Sequence, residues 1–495
     1  MELEKLIKKV ISYTPRSPFF KTRINRKKNM VIIHTTQENF ENYCDTSTSS
    51  DLDVYTNEKG PLSRLQLSPH YFILDDWKFI DGEVYSTIIN MVGPNNVAHH
   101  AGESSWMSER NLNENSLGIE IRGYTNQNLT RAQYNSLYAL VEFLVEEHDI
   151  PINRVLGHYE VAPERRTDPG EKIMKNIRSE MVDRLHKSAF IIDAHQDTLI
   201  NVLDSGMDIS MEYDKFEVDI PRLRKGNVGA VFFALYTKAS YKNKGKRLRK
   251  LLDCFNATLK NHSKDLMQVK RLEDLDRLDG RIGVILSVEN ASGIGNYVSL
   301  DDLYMSGLRC LSLTHNTANQ YATGILGNPN RGITRKGKDL VERMKRLGIL
   351  VDVSHLNEKS FWDVIECNKR PVIASHSNVF NVHPHLRNLK DDQIKAIAER
   401  GGVIGINFWR DVIGYQRRAA NLVYHVDYLV DLVGIDHVGL GTDFGVLQGQ
   451  VPKDIEDISK LKNFTKALVD KGYKNSEVRK ILGLNYVRLF GKAWF

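Results

Sequence analysis

The sequence predicts an α/β protein of two units in series, a smaller N-terminal α/β unit followed by a closed (β/α)8 barrel. Three observations carry this expectation. The 495 residues exceed what one ordinary core organises. From about residue 190 onward, eight short apolar runs alternate with amphipathic helical patterns. Between the halves, Ile173, Ile177, Met181 and Leu185 recur at every fourth position, which places them on one face of a connecting helix. A composition 41% hydrophobic and 26% charged is that of a globular chain.

Taken in order, residues 1–27 form a basic arm. Residues 1–30 carry nine Lys/Arg against two Glu, so the net charge of +6 leaves the rest of the chain close to neutral. No basic stripe for nucleic acid is indicated. The arm reads as solvated and partly disordered, with contact to an anionic polymer as the sharper alternative. The next unit spans 28–172, with the strand-like runs MVIIHTT (30–36), SPHYFI (68–73), VAHHAGES (97–104), NSLGIEIRG (115–123) and RVLG (154–157). Residues 173–188 are the helical connector, and 189–495 the barrel.

The barrel runs are FIIDAHQD (190–197), GAVFFALY (229–236), IGVILSVEN (282–290), LRCLSLTH (308–315), ILVDVSH (349–355), PVIASHS (371–377), VIGINFW (403–409) and HVGLGTDF (437–444). Continuous apolar strands separated by helices such as KGKDLVERMKRLG imply a parallel sheet covered on both faces. Eight such units close into a barrel. The segment SEVRKILGLNYVRLFG reads as a closing helix. Cys44, Cys254, Cys310 and Cys367 form no CxxC pair and read as free thiols of a reducing compartment. With no signal-type apolar segment and no stretch approaching the roughly 18 apolar residues of a membrane span, a cytoplasmic protein without a membrane partner is expected.

Chemistry gathers at the ends of the barrel runs. The first ends in His195 and Asp197, the third in Glu289, the fourth in His315, the fifth in His355, the sixth in His376 and the eighth in Asp443. In a parallel barrel all strand C-termini converge on one face, so these residues meet in one pocket. His195 and Asp197, two apart on a strand, point the same way and can grip one ion. Singly, a strand-end His or Asp reads as a cap of backbone groups. Six strands ending alike favour a metal site. Imidazoles and carboxylates without thiolates suit Zn2+ or a similar ion, and the number of donors is enough for two ions about 3.5–4 Å apart.

The motifs HQDT, SVEN, LTHN, DVSH, SHSN and GTDF resemble those of the membrane (renal-type) dipeptidase family over nearly all of 190–495. The resemblance implies two zinc ions, with His195, Asp197 and a bridging Glu289 on the first and His355 and His376 on the second. It implies His315 on the substrate carbonyl or developing oxyanion, Arg387 on the substrate carboxylate, and Asp443 as proton shuttle. Gly445 follows Phe444 where the family usually carries a second Asp. Members often dimerise, so a homodimer through the barrel is the assembly the resemblance implies.

In the first unit, His34 ends an apolar run, and His158 and Asp168 lie ten residues apart around a Pro-containing loop. Two His and one carboxylate leave one open position, a catalytic zinc pattern. Glu120 sits mid-run, where a half-buried strand more often carries an apolar residue; an ion pair with a neighbouring Arg is the bland alternative. The motif GHYEVAPERRTDPG resembles that of the type 2 N-acetylmuramoyl-L-alanine amidases, relatives of the peptidoglycan recognition proteins, over about 28–172. This implies a mixed-sheet α/β amidase domain, one zinc on His34, His158 and Asp168, Glu120 as general base, Arg166 where a Lys often steadies the oxyanion, and His100 of the AHHAG motif touching substrate. Together the resemblances imply a bifunctional enzyme of cell-wall recycling. Its substrates would be muropeptides and dipeptides such as L-Ala-D-Glu. The alternative is a dipeptidase whose N-terminal unit is a non-catalytic peptidoglycan-binding module.

Overall fold

In the computed structural model, the described residues are 2–13, 20–21, 27–36, 68–123, 125 and 128–494. Cys44 and the arm residues Arg16, Arg23 and Arg26 lie outside them. The chain divides into two compact units, residues 1–185 with 469–476, and residues 186–468 with 477–495.

The first unit is built on a mixed six-stranded sheet. Its strands are β1 (Ile11–Tyr13), β2 (Met30–Thr35), β3 (Tyr71–Ile73), β4 (Ile88–Asn90), β5 (Ser116–Ile121) and β6 (Val155–Gly157). They lie in the order β1-β4-β3-β5-β2-β6, parallel except for the β3–β4 pair. The central β2 and β5 are buried along their whole length, as covered parallel strands require. Their register sets Glu120 beside His34. Helix α1 (Glu2–Val10) precedes β1. Helix α2 (Arg131–His148) starts in a capping box of Thr130 and Gln133 and buries Leu137, Leu140, Val141 and Leu144.

Two expectations are corrected here. Residues 2–13, read as solvated arm, form α1 and β1; Ile7 and Val10, three apart, are buried on one helix face, and β1 adds to the sheet edge. The VAHHAGES run yields only Val97–Ala98 as strand, paired with Phe20–Lys21 outside the main sheet. Its residues 99–104 turn away to other work.

The second unit contains all eight expected strands. They are β7 (Ile191–Gln196), β8 (Val228–Tyr236), β9 (Ile282–Glu289), β10 (Leu308–Ser312), β11 (Leu350–Asp352), β12 (Val372–Ala374), β13 (Val403–Ile406) and β14 (Val438–Leu440). Each pairs in parallel with its sequence neighbours, and β14 pairs with β7, so the barrel closes. A short extra strand, Leu266–Gln268, lies outside β9. The closing segment is helical through a π-type turn at Lys480–Leu484. Its Tyr486, Leu489, Phe490 and Trp494 pack on inward residues Ile192, Phe232, Ile285 and Val403, and the Tyr486 hydroxyl donates to the Leu440 carbonyl at 2.7 Å. A Cβ on Gly439 would sit 2.5 Å from the Tyr486 ring, so that strand position needs glycine. No described helix is long and apolar enough to cross a membrane. Cys254, Cys310 and Cys367 are free thiols.

Candidate metal centres in the two units

Every His, Asp and Glu anticipated in the barrel lies at or just beyond the C-terminal end of its strand. His195 and Asp197 close β7, Glu289 ends β9, and His315, His355, His376 and Asp443 stand two or three residues past β10, β11, β12 and β14. All but His315 and Asp443 are under 9% exposed. Glu289 Oε1 is 2.8 Å from His355 Nε2, 3.6 Å from His376 Nε2 and 3.8 Å from His195 Nε2. His195 Nε2 is also 4.0 Å from Asp197 Oδ1 and 3.9 Å from Asp443 Oδ1.

Three overlapping donor sets result: His195–Glu289–His376, Glu289–His315–His355, and His195–Asp197–Asp443. Glu289 belongs to two of them, the position a bridging carboxylate occupies. His195 Nε2 and Asp197 Oδ1 are buried with no hydrogen-bond partner among the described residues. Buried polar atoms are ordinarily satisfied, so orphaned lone pairs converging on one point fit a cation.

The electrostatics agree. Burial pushes Glu289 well above the usual carboxylate range, and the charges of Asp197 and Asp443 push it further. Burial and then Asp443 raise Asp197 likewise. Asp443 is raised to about 6 by burial, with Arg387 acting against the shift. Burial lowers His195 to about 4, and burial followed by Arg387 lowers His315 to about 3. Three crowded carboxylates and neutral imidazoles form a pocket that is short of positive charge. His355 and Asp443 both hold left-handed backbones, φ 67° and 65°, conformations that non-glycine residues keep only where the surroundings impose them.

The sequence reading missed two buried aspartates that hold these ends in place. Asp352 accepts from the Ser312 and Ser375 hydroxyls, both at 2.7 Å, and from the Ser354 and Ser375 amides, both at 3.0 Å. Asp193 accepts from Thr442 N at 2.8 Å and from Gln196 Nε2 at 2.7 Å, tying β7 to β14. Because a carboxylate only accepts, the Ser375 hydroxyl donates to Asp352 and must accept from His376 Nδ1, 2.7 Å away. This leaves the Nε2 lone pair facing Glu289. Asn316 Oδ1 does the same for His355 Nδ1 at 2.8 Å. The available signal was an Asp in mid-run two residues before a polar strand end, in IIDAH and VDVS.

Beside these donors is a cavity of about 400 Å3 whose walls include Tyr236, His315, His385, Arg387, Trp409 and Leu447. Arg387 is buried and donates to the His376 carbonyl at 3.2 Å. Gly445 has φ 118°, and a Cβ there would lie 2.7 Å from Thr198 N, so this backbone excludes the Asp that the resemblance would place at 445.

In the first unit His34 ends near the top of β2, His158 opens the helix His158–Val161 directly after β6, and Asp168 returns in the following loop. Asp168 Oδ2 is 3.2 Å from His158 Nδ1 and 3.7 Å from His34 Nδ1 and accepts from Thr35 N at 3.3 Å. All three are at most 3% exposed. Asp168 Oδ1 is buried without a hydrogen-bond partner among the described residues, again a spare lone pair at the point of convergence. Burial raises Asp168, but the His158 hydrogen bond and the two histidines more than offset this and hold it below its usual value. Glu120 is pushed well above its range by burial and then by Asp168, with Arg166 opposing. Arg166 is exposed, its charge acting on Glu120 and His34. His100, expected to touch substrate, is instead buried behind His34, its Nδ1 3.0 Å from His34 Nε2.

Both units match known families. Residues 25–171 match the N-acetylmuramoyl-L-alanine amidase family model, and residues 179–494 match that of membrane dipeptidase, peptidase family M19. An uncharacterized dipeptidase of Schizosaccharomyces pombe is 30% identical over 353 residues, 64% of this chain and 84% of its own. A dipeptidase of Aspergillus oryzae is 31% identical over 295 residues, 56% of this chain and 69% of its own. Among solved structures, an M19 metallopeptidase described as dipeptidase AC has a TM-score of 0.58 at 26% identity, with 62% of this chain and 99% of that one covered. A Rhodobacter sphaeroides metallopeptidase bound to a phosphinate mimic of L-Ala-D-Ala has a TM-score of 0.57 at 26% identity, covering 62% and 99%. The chain belongs to the membrane dipeptidase family M19, with a domain of the N-acetylmuramoyl-L-alanine amidase type ahead of its barrel.

Proposed function

We propose that this chain is a bifunctional zinc hydrolase of peptidoglycan fragments. Its amidase domain, 28–172, cuts the bond between N-acetylmuramic acid and L-Ala. Its barrel, 189–495, cuts dipeptides such as L-Ala-D-Glu. The observation that carries this is the presence of two separate donor clusters, each with a buried, partnerless lone pair and each beside a carboxylate raised by burial. The related metallopeptidase bound to a mimic of L-Ala-D-Ala supports a dipeptide with a D-residue at its C-terminal side.

In the barrel, His195, Asp197, Glu289, His355 and His376 would hold two zinc ions, which when bound supply an acidified water and a polarised carbonyl. Arg387 binds the substrate carboxylate and fixes the register. His315 donates to the carbonyl oxygen as it becomes an oxyanion. Asp443 carries a proton from the attacking water to the leaving amine, a task suited to a carboxyl raised to about 6. In the first unit His34, His158 and Asp168 would hold one zinc. Glu120 takes the proton of the attacking water and returns it to the departing nitrogen, while Arg166 faces the oxyanion. Stem peptides exceed two residues, so a trimming peptidase would act between the two steps. A cytoplasmic location and a homodimer through the barrel belong to this same reading.

The test is to incubate the zinc-loaded protein with a muramoyl-tripeptide and, separately, with L-Ala-D-Glu, reading products by mass beside His158→Ala and His376→Ala chains. Both substrates should be cut, each variant losing only its own activity. Cleavage of the dipeptide alone would leave the first unit as a peptidoglycan-binding module, and failure on every L-Ala-D-Xaa dipeptide would overturn the barrel assignment.

A further inference from the structure

The AHHAG segment of the first unit touches both histidines of the candidate zinc site from behind. We infer that residues 100–101, with Ser116, form a hydrogen-bond relay that fixes which nitrogen of His34 and of His158 is free to bind metal. His100 and Ser116 are then positioning residues.

The relay starts at a carbonyl. Ser116 Oγ lies in hydrogen-bond contact with the Leu112 carbonyl and 3.2 Å from His100 Nε2. A carbonyl can only accept, so the one hydroxyl proton goes to Leu112 and the oxygen presents a lone pair to His100. His100 therefore carries its proton on Nε2. As a neutral ring it is bare at Nδ1, which is 3.0 Å from His34 Nε2 and accepts from it. His34 is left with its lone pair on Nδ1, the nitrogen that faces Asp168. One residue further along, His158 Nδ1 donates to Asp168 Oδ2 at 3.2 Å in the metal-free chain, and the Ala101 carbonyl, 3.4 Å from His158 Nε2, is placed to accept the ring proton there when Nδ1 turns to a cation. Both rings thus present the same nitrogen to the same point, and one loop sets both.

The surroundings are shaped for this task. A Cβ on Gly118 would fall 2.3 Å from the His100 ring, so β5 carries glycine where the imidazole lies against it. Asn113 Oδ1 accepts from the His100 and Ala101 amides at 3.0 and 2.8 Å, clamping the loop. Partners behind a ligating His orient the ring and select its tautomer, and their loss typically weakens metal affinity about 10–100-fold.

The inference rests on the reading of His34, His158 and Asp168 as a zinc site, and the test separates the two. Zinc is titrated from the full chain with a competing chelator, and the His158→Ala chain identifies the step that belongs to the first unit. His100→Leu should weaken that step about 10–100-fold. His100→Gln, which offers an oxygen to His34 and an amide to Ser116, should restore most of it. Ser116→Ala should fall between them. Equal affinity for His100→Leu and the parent, or equal loss for Leu and Gln, would overturn the relay while leaving the zinc site standing. A parent chain with no such step would overturn the zinc site itself. Independently of folding in the variants, ring 15N shifts of the metal-free parent should show His34 protonated on Nε2; protonation on Nδ1 would overturn the relay.

Discussion

The two candidate metal centres solve one problem with opposite economies of charge. In the first unit the ligand carboxylate Asp168 is already partnered by His158 and the Thr35 amide and is held below its usual pKa. In the barrel, Asp197, Glu289 and Asp443 crowd together and all three are raised, with Arg387 the cation acting on Glu289 and Asp443. A site whose ligands satisfy one another keeps its shape when empty, whereas a site of mutually repelling carboxylates depends on the cations that join them. The small sheet brings three ligands from two adjacent strands and one returning loop. The barrel draws on six strand ends, which explains why it can hold more charge and why it needs more.

The sharpest way to break this comparison is to neutralise the shared barrel carboxylate. Glu289→Gln removes the one carboxylate that belongs to two of the three sets. Dipeptide hydrolysis should fall by more than about 10^3-fold, as for loss of a residue on which a whole catalytic unit depends. Muramoyl-peptide cleavage should be unchanged. If dipeptide hydrolysis drops less than tenfold, Glu289 is not a bridge and the barrel set must be redrawn around His195.

Metal removal should sharpen it next. An ion held at about 1,000 times its dissociation constant stabilises the folded state by about 4 kcal/mol. If the barrel holds two ions and the first unit one, as proposed, chelation leaves the barrel with uncompensated carboxylates, whereas the first unit keeps its internal pairing. Calorimetry before and after chelation should therefore show the barrel transition shifting to lower temperature by clearly more than that of the first unit. Equal shifts would mean that the raised carboxylates of the barrel find other relief.

Much of this was legible before any coordinates. The eight barrel strands follow from apolar runs of strand length, and their polar ends fall on one face because a parallel barrel admits no other arrangement. What the sequence hid is instructive. Helix α1 buries only Ile7 and Val10 within a Lys-rich stretch, so its charge spoke louder than its spacing. Asp193 and Asp352 are structural acceptors, but an Asp in a strand reads equally as ligand, cap or hub until its donors are known. His99 and His100 are consecutive, and sequence cannot say which of the two turns inward. The structure buries His100 and leaves His99 half-exposed.

His70 was likewise invisible as a functional residue, and it yields the smallest of the expected effects. It is fully buried, accepts from Gly118 N at 3.0 Å through Nδ1 and donates to the Asn96 carbonyl at 3.2 Å. Burial, and then the charge of Lys28, lower it to about 3. The unfolded chain binds a proton at this residue below about 6.5, while the folded chain does not until about 3, so the unfolded state holds more protons throughout that window. The stability from a neutral His70 is thus fully present above about 6.5 and is lost as pH falls toward 3, because a protonated ring would set an N–H against the Gly118 amide. One proton corresponds to about 1.4 kcal/mol per pH unit. With zinc bound, His70→Gln should make the acid limb of the first unit's unfolding curve shallower by about that amount between pH 6 and 5, without altering the barrel's. An unchanged slope would mean that His70 takes up its proton in the folded state and that the buried imidazoles of this unit are not what sets its acid limit.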